Sequence, residues 1–245
     1  MAGRLRTGTS GFAYPDWAPR FYPPRTRGPD LLRHYGAHLA TVELNNTFYR
    51  QPSPAAVDSW LAATPDAFRF AVKAQRGSSF RALQVDPSDS VDWLTTPLRR
   101  FGERLGTILF RVPDGVARDD ARLAGLFGAW PADLPLAMEF QDPSWHVDEV
   151  FAAIRETGAA LVTTDLETDP EPPMIRRTGR FLYLRLRRPD YPVVELERWL
   201  GRLEPFLADG LDAFVYFRHD EVGHGAELAL SLAELGERAG FGAPA

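Results

Sequence analysis

Short runs in which apolar and polar residues alternate recur along this chain, separated by stretches of helical spacing. Leu5–Ser10 reads as the first strand. Leu31–Leu39 follows as a helix, with Leu31, Leu32, Tyr35 and Leu39 on one face. Thr41–Arg50 (TVELNNTFYR) opens as a buried strand in which Val42 and Leu44 face one way and Glu43, Asn45 and Thr47 the other. Ser53 caps a helix that starts at Pro54 and stops before Pro65. Phe68–Lys73, Thr107–Val112, Leu136–Gln141, Ala160–Thr164, Phe181–Arg187 and Ala213–Arg218 read as further strands. Helices at Asp119–Trp130, Val147–Thr157, Leu196–Leu207 and Glu227–Ala239 separate the later ones. Between Ala74 and Arg104 the only legible element is a helix near Val91–Phe101.

Eight strands alternating with helices, with no linker-like break and no repeat of fixed period, predict an α/β fold. The expected architecture is one (β/α)8 TIM barrel, a single domain over residues 1–245. The prolines of LETDPEPPMIRRTG, after the sixth strand, predict a reduced crossover between strands six and seven. No G-x-G-x-x-G follows the first strand, which counts against a dinucleotide-binding fold.

In a barrel of this kind the chemistry sits at the C-terminal ends of the strands. Here those ends carry Ser10, Glu43, Asn45, Lys73, Arg111, Glu139, Gln141, Asp165, Arg185, Arg187, Tyr216 and Arg218, a ring of polar residues beyond apolar strand bodies. Buried charges need partners whatever a protein does, so a self-satisfied network of Arg–carboxylate pairs is one reading of the ring. The other is a site. In that reading Glu43 and Glu139 are an acid/base pair, with Lys73 an amine of adjustable pKa. Asn45, Asp165, Tyr216 and the arginines Arg111, Arg185, Arg187 and Arg218 would bind substrate, the cations clamping a phosphate or carboxylate. Trp17, Tyr49 and Trp145, in aromatic loops beside the charges, join the expected binding set. His219, Asp220, Glu221 and His224 match no standard metal motif and read as a polar loop, so no metal ligands and no cofactor are assigned.

Composition narrows the field. There are no cysteines, which excludes disulfides, thiolate metal sites and cysteine nucleophiles. A net charge of −5 argues against broad attraction to nucleic acid or anionic membranes. The N-terminus has no apolar signal segment and no apolar run reaches spanning length, so the expectation is a cytoplasmic protein with no membrane partner. Of 28 basic residues, Lys73 is the only lysine. Lysine supplies a compact, titratable charge that arginine cannot replace. Three functions stay open: an enzyme, a hydrolase or lyase, acting on a small anionic, phosphorylated or nucleotide-like ligand; a barrel that binds single-stranded nucleic acid, with metal-assisted phosphodiester cleavage as one version; and a non-catalytic partner-binding protein. Net acidity favours the small ligand. Oligomeric state is not encoded in any feature of the chain.

Several motifs together, GTSGFAYPDW with FYPP, TVELNNTFYRQPSPAAVDSWLAATPDAFRFAVKA, MEFQDPSW, FLYLRL and AFVYF, resemble the YecE-like family, also called domain of unknown function 72. The resemblance spans almost the whole chain and implies a TIM barrel with its site at the strand ends. It implies no reaction. Trp17, Glu43, Asn45, Thr47, Tyr49, Lys73, Glu139, Pro143, Ser144, Trp145 and Arg185 match the family pattern. The chain departs from it at Gln141 and Asp142, where Arg-His is usual, and at Arg111 and Arg187, where Gln and His are usual. Arg218 and His219 stand where the pattern has Asn.

Overall fold

The structure, a computed structural model, describes residues 1–84 and 87–244. Its core is a ring of eight parallel strands: β1 (Leu5–Thr9), β2 (Thr41–Leu44), β3 (Arg69–Lys73), β4 (Leu105–Val112), β5 (Leu136–Phe140), β6 (Ala160–Asp165), β7 (Phe181–Leu186) and β8 (Asp212–Phe217). Hydrogen-bonded neighbours run β1-β8-β7-β6-β5-β4-β3-β2. Eight α-helices among the described residues surround it: α1 (Pro29–Gly36), α2 (Pro54–Ala62), α3 (Arg76–Gln84), α4 (Pro87–Thr95), α5 (Asp120–Ala129), α6 (Asp148–Thr157), α7 (Val193–Ala208) and α8 (His224–Arg238). None is long and apolar enough to cross a membrane. The expected α/β TIM barrel is what forms.

Helix ends follow local chemistry. Ser53 Oγ accepts the Ala56 amide at 3.2 Å, with Pro54 in the first helical position of α2. Asp119 caps α5 in the same way. The segment 166–180 between β6 and β7 contains no helix, as its prolines predicted. Two expectations are corrected. Strand β2 stops at Leu44, because Asn45 turns into a helical conformation and residues 46–48 form a 3-10 turn. The stretch 76–84, expected to be irregular, is the helix α3; its mixed polar sequence carries no clear apolar period. Thr47 Oγ contacts the carbonyl oxygens of Leu44 and Lys73, each at 2.7 Å, and so ties the β2 turn to β3.

Strand alternation divides the apolar residues in two. Val42, Leu44, Val72, Met138, Leu184 and their like face outward and pack against the helices. Ala71, Leu109, Ala137, Val162, Tyr183 and Tyr216 face inward and fill the barrel. The next inward position on each strand belongs to the polar layer above them.

The ring closes at the β1–β2 seam, where the strands share only one bridge, Ser10 to Glu43. A Cβ at Gly8 would lie 2.0 Å from the Thr41 carbonyl oxygen, so only glycine permits this approach. The buried Tyr35 hydroxyl, from α1, completes the seam. It accepts the Thr9 amide at 2.7 Å and donates to the Thr41 carbonyl at 3.1 Å. A second seam is open. The β5–β6 ladder ends after Ala137–Ala160 and Met138–Leu161, and the Phe140 carbonyl is taken at 3.1 Å by Nε2 of His146 rather than by a strand.

Tyr35→Phe is expected to leave the Thr9 amide and the Thr41 carbonyl without their shared partner and to lower stability by about 1–3 kcal/mol. Urea unfolding measures this. A loss within the ~0.5 kcal/mol of an ordinary surface change would show that the hydroxyl does not hold the seam.

Candidate functional site

The top interior layer of the barrel is charged. Arg185, two residues along β7 from the inward Tyr183, reaches across the barrel axis to two glutamates. Its Nη2 donates to Glu43 Oε1 at 2.9 Å, and its Nη1 donates to Glu139 Oε1 at 2.7 Å and to Oε2 at 2.9 Å. Tyr183 donates its hydroxyl to the other oxygen of Glu43 at 2.7 Å. Thr164 Oγ donates to Glu139 at 3.3 Å, and Arg111 Nε lies 3.1 Å from Glu139 Oε2. All four residues of the Glu43–Tyr183–Arg185–Glu139 set are buried.

The electrostatics follow from that geometry. Burial raises the cost of charge on Glu139, but Arg185, Arg111 and Lys73 outweigh it and hold the carboxyl below its ordinary value. Burial likewise opposes the charge on Arg185, and Glu43 and Glu139 reverse this, so the guanidinium is held firmly protonated. Burial and the Glu43 carboxylate push the Tyr183 phenol well up, which keeps it a hydrogen-bond donor.

Lys73 is not part of this pairing. Among the described residues no carboxylate lies within ion-pairing distance of its amine, which instead sits 4.2 Å from the centre of the Phe48 ring. Burial lowers its pKa to about 8, with Arg185 and Arg111 adding to the shift and Glu43 and Glu139 opposing it. Arg187 continues the inward face of β7 and also lacks a carboxylate partner among the described residues. Burial and Arg185 lower its pKa. His219 feels the same field: burial, then Arg187 and Arg218, pull its pKa down, while its ring stacks on Tyr14 at 5.0 Å.

Lys73, Arg111, Glu139, Arg185 and Arg187 line one cavity of about 550 Å³. It continues through the gap between β5 and β6, past His146, Thr163 and Thr164, to Arg176 in the helix-free connection. The short β5–β6 ladder opens the mouth at its side, and the helix-free connection after β6 forms the far wall of that opening.

The remaining expected site residues lie elsewhere. Asp165 follows Thr164 by one residue, so its side chain faces out of the barrel, where it accepts from Tyr191 at 2.7 Å and Arg188 at 3.0 Å. Trp17 and Trp145 are fully buried in the apolar layer, their indole N–H groups donating to the carbonyls of Asp220 and Val116. Tyr216 lies one layer below the charged set, its hydroxyl 2.7 Å from Thr41 Oγ. Arg218 is exposed at the rim and lines a separate cavity of about 290 Å³. Tyr49 is 78% exposed, and Asn45 Oδ1 is buried without a hydrogen-bond partner among the described residues. Asp220 accepts four backbone amides at the start of α8, and among the described residues no three His, Asp or Glu side chains are placed to hold a metal. Tyr183 and Thr164 were not expected. Period-2 alternation from Arg185, and from the inward Val162, was the signal that points to them.

A family model described as a protein of unknown function, DUF72, matches residues 6–244. The chain belongs to this family. It is similar to the UPF0759 protein YunF of Bacillus subtilis (strain 168), 26% identical with 87% of this chain and 89% of that protein covered. Among solved structures, a DUF72 family protein (TM1631) from Thermotoga maritima MSB8 superposes with a TM-score of 0.83 at 26% identity, covering 96% of this chain and 99% of that one. A second, EF0366 from Enterococcus faecalis V583, shares the fold with a TM-score of 0.77 at 20% identity, over 95% and 97% of the two chains. The DUF72 barrel read from the motifs is thus borne out, and none of these relatives carries an activity in its name.

Removing Arg185 leaves Glu43 buried without its cation and Glu139 with Arg111 alone. Arg185→Met is expected to cost about 3–5 kcal/mol at pH 7. Without the guanidinium, the burial of Glu139 is opposed less and its folded-state pKa rises, so the folded variant binds more protons than the native chain and the deficit shrinks as pH falls towards 5. Urea unfolding at the two pH values tests both statements; a loss under ~1 kcal/mol, or one that does not change with pH, contradicts them.

Proposed function

We propose that this protein is an enzyme, a hydrolase or lyase, acting on a small anionic substrate at the barrel mouth, with Lys73 moving the proton. The observation that carries the reading is an imbalance of charge. Lys73, Arg111, Arg185 and Arg187 gather over Glu43 and Glu139, and Arg185 already satisfies both carboxylates. Two inward cations, Lys73 and Arg187, line the cavity without an ion pair among the described residues; Asp169, also in its wall, accepts the Leu166 amide instead. Arg111 shares Glu139 through Nε and keeps its terminal nitrogens free of hydrogen-bond acceptors among those residues. An anion of the substrate is the natural counter-charge, and arginine is well shaped to grip phosphate or carboxylate.

The proton-transfer role passes from the glutamates to Lys73. A general acid or base works best with a pKa near the working pH. Glu139 is held ionised by its cations, whereas an amine that titrates at about 8 exchanges its proton readily near neutrality. Arg185 and Tyr183 fix the two carboxylates, which in turn set the field around the amine. A small ligand is preferred to single-stranded nucleic acid because the chain carries a net charge of −5 and because Trp17 and Trp145, beside the charges in the sequence, are buried and hydrogen-bonded within the protein.

Sulfate, which does not titrate between pH 6.5 and 9.5, is a suitable calorimetric probe. A protonated Lys73 attracts the anion, so affinity is expected to be flat below about pH 8 and to weaken about tenfold as the amine loses its proton, over roughly one pH unit. Lys73→Met should abolish that pH dependence, and Arg187→Gln should weaken binding at every pH. Absence of sulfate binding would sink the anion site. For catalysis, a pool of phosphate monoesters and sugar phosphates followed by 31P NMR should show consumption by the wild type and none by Lys73→Met. A protein that binds the anion and consumes nothing from that pool or from a matching pool of carboxylates would be a binding barrel and not an enzyme.

A further inference from the structure

A second cavity adjoins the charged one. It occupies about 630 Å³ between the β2 turn, α3 and the tip of β4. Its walls are mostly apolar: Phe48, Tyr49, Phe80, Leu83, Phe110 and Val116. The polar side chains there include Arg76 and Asp114, which balance one another in charge. Phe80 is 53% exposed and Tyr49 more so, and large aromatic side chains left uncovered at the lip of a cleft are the usual mark of a surface that receives something.

Two contacts join the cavities. Arg111 lines both, so the cavities meet at its side chain, whose terminal nitrogens are free of hydrogen-bond acceptors among the described residues. Phe48 lines the apolar cleft, and its ring carries the amine of Lys73, which lines the charged cavity. A cation-lined pocket and an aromatic-lined cleft thus meet at Arg111 and at the Lys73–Phe48 pair. A ligand whose anion met Lys73, Arg111 and Arg187 would find apolar surface beside it. An inorganic ion or a fully polar metabolite would leave the cleft wet and its aromatic rings uncovered.

We infer that the substrate is an aryl anion: a phosphate or carboxylate carried on a planar, largely apolar body that lies against Phe48, Phe80 and Phe110. This inference rests on the anion-site reading above and adds the class of group attached to the anion. Burying a planar aromatic body is a large apolar contribution, and stacking against perpendicular rings such as Phe48 and Tyr49, 5.4 Å apart at 83°, gives it orientation.

Calorimetry with matched pairs of probes tests the inference. Methyl phosphate is compared with 1-naphthyl phosphate, and acetate with 1-naphthoate; the two pairs separate a phosphate site from a carboxylate site. The expected result is that the naphthyl member of at least one pair binds tenfold or more tightly than its small partner. Phe80→Ala, an exposed position whose loss leaves the core intact, should remove most of that preference without altering the small anion's affinity. Arg111→Met should weaken both members. Equal affinity for the naphthyl and small anions overturns the inference while leaving the anion site standing. A naphthyl preference untouched by Phe80→Ala also overturns it, because the apolar body then lies elsewhere. If neither member of either pair binds, the anion site itself fails and the inference with it.

Discussion

The bifurcated grip of Arg185 on Glu43 and Glu139 is the interaction on which the upper half of the barrel depends. Three charges sit in a layer from which water is nearly excluded, and their mutual attraction offsets a desolvation cost that would be prohibitive for any one alone. The arrangement ties β2, β5 and β7 together across the axis, places Tyr183 beneath it, and fixes both carboxylates as acceptors. It also determines what is left over. Because one arginine satisfies two glutamates, Lys73 and Arg187 are left without a carboxylate partner among the described residues.

That surplus explains the behaviour of Lys73. An amine beside two glutamates would ordinarily be held protonated. Here the carboxylates are already engaged, burial disfavours the charge, and Arg111 and Arg185 repel it, so the amine titrates near neutrality. Phe48 gives it a soft, partial counterpart in place of a carboxylate. The arginines at positions 111 and 187 increase the surplus in this chain. The side opening where the β5–β6 ladder ends gives the resulting field a route towards the helix-free connection after β6.

Much of this was legible in the chain. The strand ends named Glu43, Lys73, Glu139 and Arg185, and the prolines after Asp165 announced the missing crossover helix. What was not legible depends on register and on distance. Asp165 differs from the inward Thr164 by one step along a strand, which is enough to turn it out of the barrel and into a structural pair with Arg188 and Tyr191. Trp17 and Trp145 stand beside charges in the sequence, yet their rings pack into the outer apolar layer, because loop residues carry no periodicity from which to read a direction. The choice of partners was hidden as well. Glu43 and Lys73 lie on neighbouring strands and read naturally as a pair, and only the geometry shows that an arginine from the far side of the barrel takes the glutamate instead.

The central claim is that Lys73 is a free, titratable amine waiting for an anion, and its being the only lysine makes it directly observable. Reductive methylation with 13C-formaldehyde marks Lys73 and the N-terminus, and the lysine methyl resonance, assigned by its absence from Lys73→Met, can be followed from pH 6 to 11. The account predicts a midpoint of about 8 in the free protein, moving upward when sulfate is added, because a bound anion favours the protonated form. A midpoint near the ordinary lysine value of ~10.4, unmoved by sulfate, would contradict it and return the mouth of this barrel to a closed network of ion pairs.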